Sequence, residues 1–318
     1  MKLLKPLLYL IIGLTFLYNI KSFLYFNFNS LEGIISQISP SFLILSIFCY
    51  FFSHVLRTFR LYTLANDVSI SFMNFISLQF KANSLNLIFP FKLGEFYRIF
   101  SFSNILGGNI KSTTTLLIER IFDFLVLFII LSFGVLISER ISVSDISYIY
   151  FPVLLVSILL ISFITLSYDS IILFQKRIIQ RYKGVRSTRI LKISTEIISI
   201  LDYSKKLVSK QIFKISLLTV LIWGLEISST IYLTTFIGFE IDILILLGVY
   251  IAFSSLLPNG PLGIGGLQLS FYYLFDSFDI NLDYGSMSHT YILFIFGSGL
   301  LIGGLLFSFD LMKKIFKL

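Results

Sequence analysis

Long apolar segments separated by short charged ones dominate this chain of 318 residues. A helix needs roughly 20 residues to cross a membrane. Several apolar runs approach or reach that length, among them Leu7–Leu17, Phe42–Phe52, Leu125–Val135, Val153–Leu166 and Ile292–Phe307. Apolar residues make up 56% of the chain and charged residues only 13%, whereas about a quarter of a soluble domain is charged. The sequence therefore predicts an all-α polytopic membrane protein, with residues 1–318 forming a single transmembrane domain.

The net charge of +8 is distributed by topology rather than over a nucleic-acid-binding surface. Lysine and arginine concentrate in alternate inter-helix segments, above all in a basic loop at 169–210, while segments 27–40, 238–242 and 276–285 contain acidic residues and neither Lys nor Arg. Cytoplasmic loops are enriched in Lys and Arg. We therefore expect a multi-pass protein of the cytoplasmic (inner) membrane of a prokaryote, with both termini and the basic loop in the cytoplasm. The isoleucines of that loop alternate with basic residues, which predicts a helix lying on anionic lipid.

Two apolar stretches return to the side from which they start. The stretch 72–90 lies between two cytoplasmic segments, and 243–275 lies between two outside segments. Broken backbone at membrane depth is tolerated where protein or a wet cavity buries it, so we expect two re-entrant hairpins of opposite orientation. The residues of their turns are Pro90 and Gly94 in the first hairpin, and Pro258, Pro261, Gly263, Gly265 and Gly266 in the second.

The two hairpins suggest an internal inverted repeat. Pro90-x-x-x-Gly94 recurs 171 residues later as Pro261-x-x-x-Gly265. The repeat halves would be about 1–138 and 139–318, each with three crossings and one hairpin, which makes about six full spans. Inverted repeats with broken helices near the midplane are a transporter architecture.

Charged residues gather around the first turn and in the helices beside it. They are Arg57, Arg60, Glu95, Arg98, Glu119, Arg120 and Asp123. Ionisable groups at membrane depth mark a pathway or a binding site by default, and arginine suits a lipid phosphate because it donates two parallel hydrogen bonds. Spacing places Glu95 beside Arg98, and Glu119 beside Asp123, on one helix face each, so Arg98 can pair with Glu119 or Asp123. The alternative is a set of structural salt bridges that fix the hairpin while phosphate binds elsewhere.

These residues carry a resemblance to a known family. The chain resembles the lysylphosphatidylglycerol synthase transmembrane-region family, also called flippase-like membrane proteins. The resemblance lies in Arg57 with Arg60, the Pro90–Arg98 turn, Glu119–Arg120–Asp123 and the segment Pro258–Gly266. That family is similar to the N-terminal lipid-translocating part of the multiple peptide resistance factor. The resemblance implies a lipid-translocating protein without the synthase domain, and it adds Gln268 to the substrate-pathway residues. The family usually has a glutamate at that position.

Two classes of function stay open at this point. One is a flippase or transporter that moves an anionic phospholipid or a polyprenyl-linked lipid between leaflets. The other is a membrane-embedded enzyme or accessory subunit of lipid-linked glycan or cell-envelope biosynthesis. Glu119 and Asp123 could serve an enzyme, but no His, Cys or Ser constellation accompanies them, so we expect no catalytic residues.

We also expect the following of cofactors and partners. His54 and His289 stand apart from any Cys or carboxylate cluster, which argues against a metal, and no cofactor is expected. The expected partners are membrane lipids with an anionic headgroup and no nucleic acid, while a homo-oligomer and envelope-biosynthesis partners are left open. Glu226, within an apolar span, could reach a cavity or pair with Lys214.

Overall fold

The computed structural model describes residues 28–65, 71–137, 170–180, 184–256, 259–278 and 282–316, together with residues 151, 154, 155, 158 and 280. The described residues form helices joined by short turns, and none of them lies in a β-strand. The prediction of an all-α protein is therefore confirmed.

The α-helices in the described ranges are numbered in chain order. They are α1 Phe28–Ile35, α2 Pro40–Ala65, α3 Phe72–Ile88, α4 Leu93–Leu106, α5 Asn109–Ile137, α6 (described over 170–180), α7 Val185–Thr234, α8 Ile241–Leu256, α9 Gly266–Ser277, α10 Tyr284–Tyr291 and α11 Gly297–Phe316. Single 3₁₀ turns lie at Pro90–Lys92, Thr235–Ile237 and Pro261–Gly263, and a π-helical segment at Ile292–Phe296 joins α10 to α11.

Three of the described helical stretches are long and apolar enough to cross a membrane: Pro40–Ala65, Thr188–Ile237 and Tyr284–Asp310. Ile241–Leu256 is also apolar but shorter. Two of the predicted apolar runs, Leu7–Leu17 and Val153–Leu166, fall wholly or almost wholly outside the described residues. The full count of six spans therefore stays a prediction.

Helix α7 is the centre of the packing, with α2, α5 and α8 against it. Trp223 on α7, Leu127 on α5 and Leu247 on α8 are completely buried in one apolar cluster. Small residues let the helices approach closely, as is usual for helices in lipid. The Ser46 hydroxyl of α2, for example, donates to the Ser229 carbonyl of α7 at 2.6 Å.

Two helical hairpins share an unusual turn. In α3–α4 the turn is Pro90–Lys92, and in α8–α9 it is Pro261–Gly263. The central residue of each turn is left-handed, with φ 58° and ψ 26° at Phe91 and φ 58° and ψ 23° at Leu262. Left-handed backbone costs a non-glycine residue about 1–2 kcal/mol, so other contacts must hold both turns in place. Pro258, predicted in the second turn, lies outside the described residues.

The tips of the two hairpins touch each other. The Phe91 N–H donates to the Asn259 carbonyl at 2.9 Å, and the Lys92 ammonium donates to the Ser255 carbonyl. The first hairpin is tight just after its turn, because a Cβ on Gly94 would collide with the backbone carbonyl of Ala82. Glycine is thus the only residue that fits there without moving α3.

The basic segment predicted to lie on the membrane differs in the structure. Residues 185–210 are the first half of the 50-residue helix α7, which continues without a break into the following span. Leu201 and Leu207 are buried, and Leu207 packs with Leu64 and Ile118. Leu201 and Leu207 therefore pack on the rest of the protein, while Ile190 and Ile193 of the same segment are exposed.

Candidate functional site

A cavity lies between α2, α3, α4, α5, α7 and α8 and beside the two hairpin turns. Its volume is about 120 Å³, and one water needs about 10–15 Å³ on the same measure. The cavity is therefore large enough for several waters or for a small polar group such as a phosphate.

The wall of the cavity is rich in positive charge. Its cationic side chains are Arg57, Arg60, Lys92, Arg98 and Arg120. The carboxylates in the wall are Glu95 and Glu226, so positive side chains outnumber negative ones. Glu119 and Asp123 pair with Arg98 and Arg60 directly behind the wall, so the excess over the whole cluster is one cationic side chain, which favours an anionic ligand.

Arg98 and Arg120 are held by carboxylates of α4 and α5. An Arg98 nitrogen donates to Glu119 Oε2 at 2.5 Å, and its other terminal nitrogen lies 3.5 Å from Glu95 Oε2. Arg120 pairs with Glu95 and lies 3.4 Å from Asp123 Oδ2. The structure thus contains the Arg98–Glu119 pair, one of the two that the spacing predicts.

Arg60 is anchored more deeply than the other arginines. Its two terminal nitrogens donate to Asp123 Oδ1 at 2.7 Å and Oδ2 at 3.3 Å, and its Nε lies 3.4 Å from Glu119 Oε1. The Trp223 indole donates to Asp123 Oδ1 at 3.0 Å. Glu119 and Asp123 are almost completely buried and lie outside the cavity wall. Their role in this geometry is to hold arginines.

Arg57 pairs with Glu226, whose partner the sequence did not determine. Arg57 donates to Glu226 Oε1 through two nitrogens at 2.7 and 3.1 Å, and Ser53 donates to the same oxygen at 3.1 Å. The Arg57 guanidinium also stands 4.6 Å from the centre of the Trp223 ring. Glu226 therefore lies in the cavity wall and pairs with Arg57, not with Lys214.

Several buried polar atoms of the wall have no hydrogen-bond partner in the part of the chain that the structure describes. They are both ring nitrogens of His54, Oε1 of Gln79, Oδ1 of Asn86 and Nε of Arg98. A buried polar atom left without a partner costs about 1–3 kcal/mol. These atoms have almost no accessible surface, so they lie in the packed part of the wall and do not face its open space.

The structure brings together seven of the eight predicted pathway residues. Arg57, Arg60, Arg98, Arg120 and Glu95 line the cavity, and Glu119 and Asp123 stand directly behind it. Gln268 is half-buried on α9 and is not in the wall. Its assignment to the pathway rested on resemblance to a family position and on no pairing or helix-face argument, and it stays a prediction. Of the predicted turn residues, Gly263 lies in the wall.

Other wall residues were not among the predicted pathway residues. Lys92, His54, Gln79, Asn83 and Asn86 all line the cavity. The last three follow one another at spacings of four and three residues, which places them on one face of α3. That spacing was a usable signal, since amides on one face of an apolar helix are expensive in lipid.

Comparison with known proteins gives one match. Residues 4–307 match the family model described as Lysylphosphatidylglycerol synthase TM region. No curated protein matches the chain, and no solved structure does.

Proposed function

The chain belongs to the lysylphosphatidylglycerol synthase TM region family of membrane proteins, and from this premise we propose that it is a flippase-like lipid transporter. It moves an anionic phospholipid or a polyprenyl-linked lipid between the leaflets of the cytoplasmic membrane of a prokaryote. Membrane lipids are its principal partners, and any homo-oligomer or envelope-biosynthesis partner would be additional.

The observation that carries this proposal is the buried cationic cavity at the meeting point of two broken hairpins. Buried arginines are costly to keep without a function, because each charge must be removed from water. Here Arg57, Arg98 and Arg120 are held by carboxylates yet still face open space. A lipid phosphate entering the cavity can share these guanidinium groups with Glu95 and Glu226.

The hairpins support an alternating-access mechanism. We propose that they are re-entrant, enter from opposite sides and belong to an inverted repeat with about six full spans. The matching left-handed turns at Phe91 and Leu262 support the repeat. The tip-to-tip contact between Phe91 and Asn259 would then close the path on one side of the cavity, and its release would open it.

The enzyme alternative has less support from the geometry. Glu119 and Asp123, the carboxylates that an enzyme could use, are buried and bound to Arg98 and Arg60. A general acid or base must come within hydrogen-bond reach of the substrate. Both carboxylates are instead behind the wall, so we assign no catalytic residue.

Purified protein in liposomes tests the proposal. We expect it to move a fluorescent anionic phospholipid between leaflets without changing the mass of that lipid. Lys92→Gln should slow the movement about tenfold or more, because it removes a wall charge while keeping a donor for the Ser255 carbonyl. Lys210→Gln, which removes an exposed cation of α7 far from the wall, is the matched control and should leave the rate unchanged.

Two results would contradict the proposal. Covalent turnover of the lipid, detected by mass spectrometry, would favour the membrane enzyme. A folded protein that moves no anionic lipid faster than empty liposomes do would refute transport.

A further inference from the structure

We propose that the cavity binds a headgroup with a single negative charge, so that it accepts a lipid joined through one phosphodiester and excludes a lipid joined through a diphosphate. This inference rests on the proposed function, because it concerns the lipid bound in the same cavity. It goes further by narrowing the substrate class. Phospholipids and polyprenyl phosphate sugars that contain one phosphodiester remain, and polyprenyl diphosphate sugars are excluded.

The ion pairs around the cavity leave one positive charge without a partner. Each arginine of the cluster has a carboxylate of its own as its nearest partner. The four pairs are Arg57–Glu226, Arg60–Asp123, Arg98–Glu119 and Arg120–Glu95. Lys92 is the fifth cation, and among the described residues its ammonium donates to the neutral carbonyl of Ser255 and pairs with no carboxylate. One negative charge therefore completes the cluster.

The other titratable side chains of the wall add no charge to this count. Both ring nitrogens of His54 are buried and have no partner among the described residues. Its imidazole is therefore neutral, because a buried charge without a partner is costly. Tyr50 and Tyr291 are buried phenols, and a phenol keeps its proton at neutral pH. The excess of one cation thus holds for the described wall.

An anion can bind in the cavity without breaking any of these ion pairs. The side chains of Arg57 and Arg120 are 11% and 26% exposed, and both line the cavity. Arg57 Nη1 and Arg120 Nε donate to no described residue, and neither belongs to the fully buried atoms that lack a partner. These N–H groups and the Lys92 ammonium are available to a phosphate, so the four pairs and the charge count stay as they are.

A second negative charge on the ligand would have no cation left to neutralise it. A phosphodiester carries one negative charge at neutral pH, whereas a diphosphate that links a lipid to a sugar carries two. Glu95 and Glu226 stand in the same wall and repel the additional charge. Taking a charge out of water without a partner is expensive. The cavity should therefore discriminate between lipids by the charge of the phosphate group.

Two lipids that differ by one phosphate test the inference. Both carry the same polyprenyl chain and the same sugar, joined through a phosphodiester in one and through a diphosphate in the other. The protein is placed in phosphatidylcholine nanodiscs, and each lipid competes with a fluorescent phosphatidylglycerol analogue. The phosphodiester lipid should bind about tenfold tighter or more, because it leaves no charge uncompensated. Equal binding, or tighter binding of the diphosphate lipid, overturns this inference while leaving lipid transport intact.

Substitutions that change the charge count make the test specific. Glu226→Gln raises the excess to two cations and keeps an oxygen acceptor for Arg57 and Ser53. The diphosphate lipid should then gain about tenfold or more in affinity. Adding Lys92→Gln to Glu226→Gln returns the excess to one and should restore the wild-type preference, which a structural role of Glu226 would not predict. Glu196→Gln, an exposed carboxylate of the same helix outside the wall, is the matched control and should change neither affinity.

The remaining outcomes are also decisive. A folded Glu226→Gln variant with the wild-type preference, or a double variant that keeps the preference of the single variant, overturns the charge rule. The comparison of the two lipids on the wild-type protein decides the inference even where a variant does not fold. Deacylated glycerophosphoglycerol that competes as well as phosphatidylglycerol upholds the charge rule and overturns the lipid as the ligand. Folded wild-type protein that binds none of these compounds overturns this inference and the proposed function together.

Discussion

Arg98 shows most clearly how one side chain can be anchored and still be available. It is 4% exposed, and its terminal nitrogens face Glu119 and Glu95. Its Nε has no partner among the described residues, although the side chain lines the cavity. The ion pairs fix the Arg98 guanidinium in the wall, and its charge, rather than the buried Nε–H, is what an anion in the cavity meets.

Substitutions of Arg98 should separate binding from folding. Arg98→Lys should impair transport about tenfold or more, because an ammonium cannot reproduce the planar fork. Arg98→Ala should lose transport and also destabilise the protein by about 3–5 kcal/mol, since it strands the buried Glu119 carboxylate. The double variant Arg98→Ala/Glu119→Gln should recover much of that stability and remain inactive. Transport assays and thermal unfolding on the same preparations measure both effects.

The Arg98 prediction has a clear contrary result. Wild-type transport in Arg98→Ala would remove Arg98 from the lipid path. Recovery of transport in the double variant would mean that Arg98 acts only by neutralising Glu119.

At the scale of single residues, the sequence predicted the charged residues of the cavity wall better than its neutral polar residues. Spacing placed Glu95 with Arg98, and Glu119 with Asp123, on one helix face each, and it left Glu119 and Asp123 as alternative partners of Arg98. Nothing in the spacing could relate Arg57 to Glu226, which lie 169 positions apart and meet only through the packing of α2 on α7. Asn83 and Asn86 were not among the predicted pathway residues, and they line the cavity.

The first hairpin depends on how closely α3 approaches α4. Proline and glycine positions predicted both turns, since these residues punctuate helices. They could not predict that the tips of the two turns would bond to each other, because Phe91 and Asn259 are distant in sequence and use only backbone groups for that contact.

Replacing Gly94 tests this close approach. A Cβ at Gly94 would lie 2.7 Å from the Asn86 backbone nitrogen as well as against the Ala82 carbonyl. Gly94→Ala should therefore destabilise the protein by about 1–3 kcal/mol, as forced overpacking does. Gly134→Ala on α5 is the control: no heavy atom lies within 4 Å of its added Cβ, so stability should hold or rise by up to about 1 kcal/mol. Equal melting temperatures for both variants in detergent would contradict the close packing of α3 on α4.

For the molecule as a whole, composition predicts the fold class, whereas the membrane topology is predicted only from the distribution of charged residues. Hydropathy was sufficient for an all-helical membrane protein because lipid leaves the backbone few other ways to satisfy its polar groups. Hydropathy was insufficient for the first half of α7, because that periodic basic segment was expected to lie flat on the membrane surface. The buried Leu207 contact with Leu64 and Ile118 depends on tertiary packing, which local periodicity does not contain.

Membrane topology provides the test at this scale. We expect the segments 63–68, 104–109 and 183–188 and the C-terminus to face the cytoplasm, and the segments 27–38 and 277–284 to face outward. Single cysteines introduced at these places in a Cys49→Ser background can be labelled from either side with membrane-impermeant reagents. Labelling from the outside at position 104 would remove the first re-entrant hairpin from the proposed architecture.

The length of α7 has a practical consequence for imaging. Fifty helical residues extend about 75 Å at 1.5 Å per residue, and the hydrocarbon core of a bilayer is about 30 Å thick. More than half of this helix therefore extends beyond the hydrocarbon core. A protein of 36.5 kDa is otherwise small for single-particle electron microscopy, so an antibody fragment bound to the projecting part of α7 would provide a rigid marker for particle alignment.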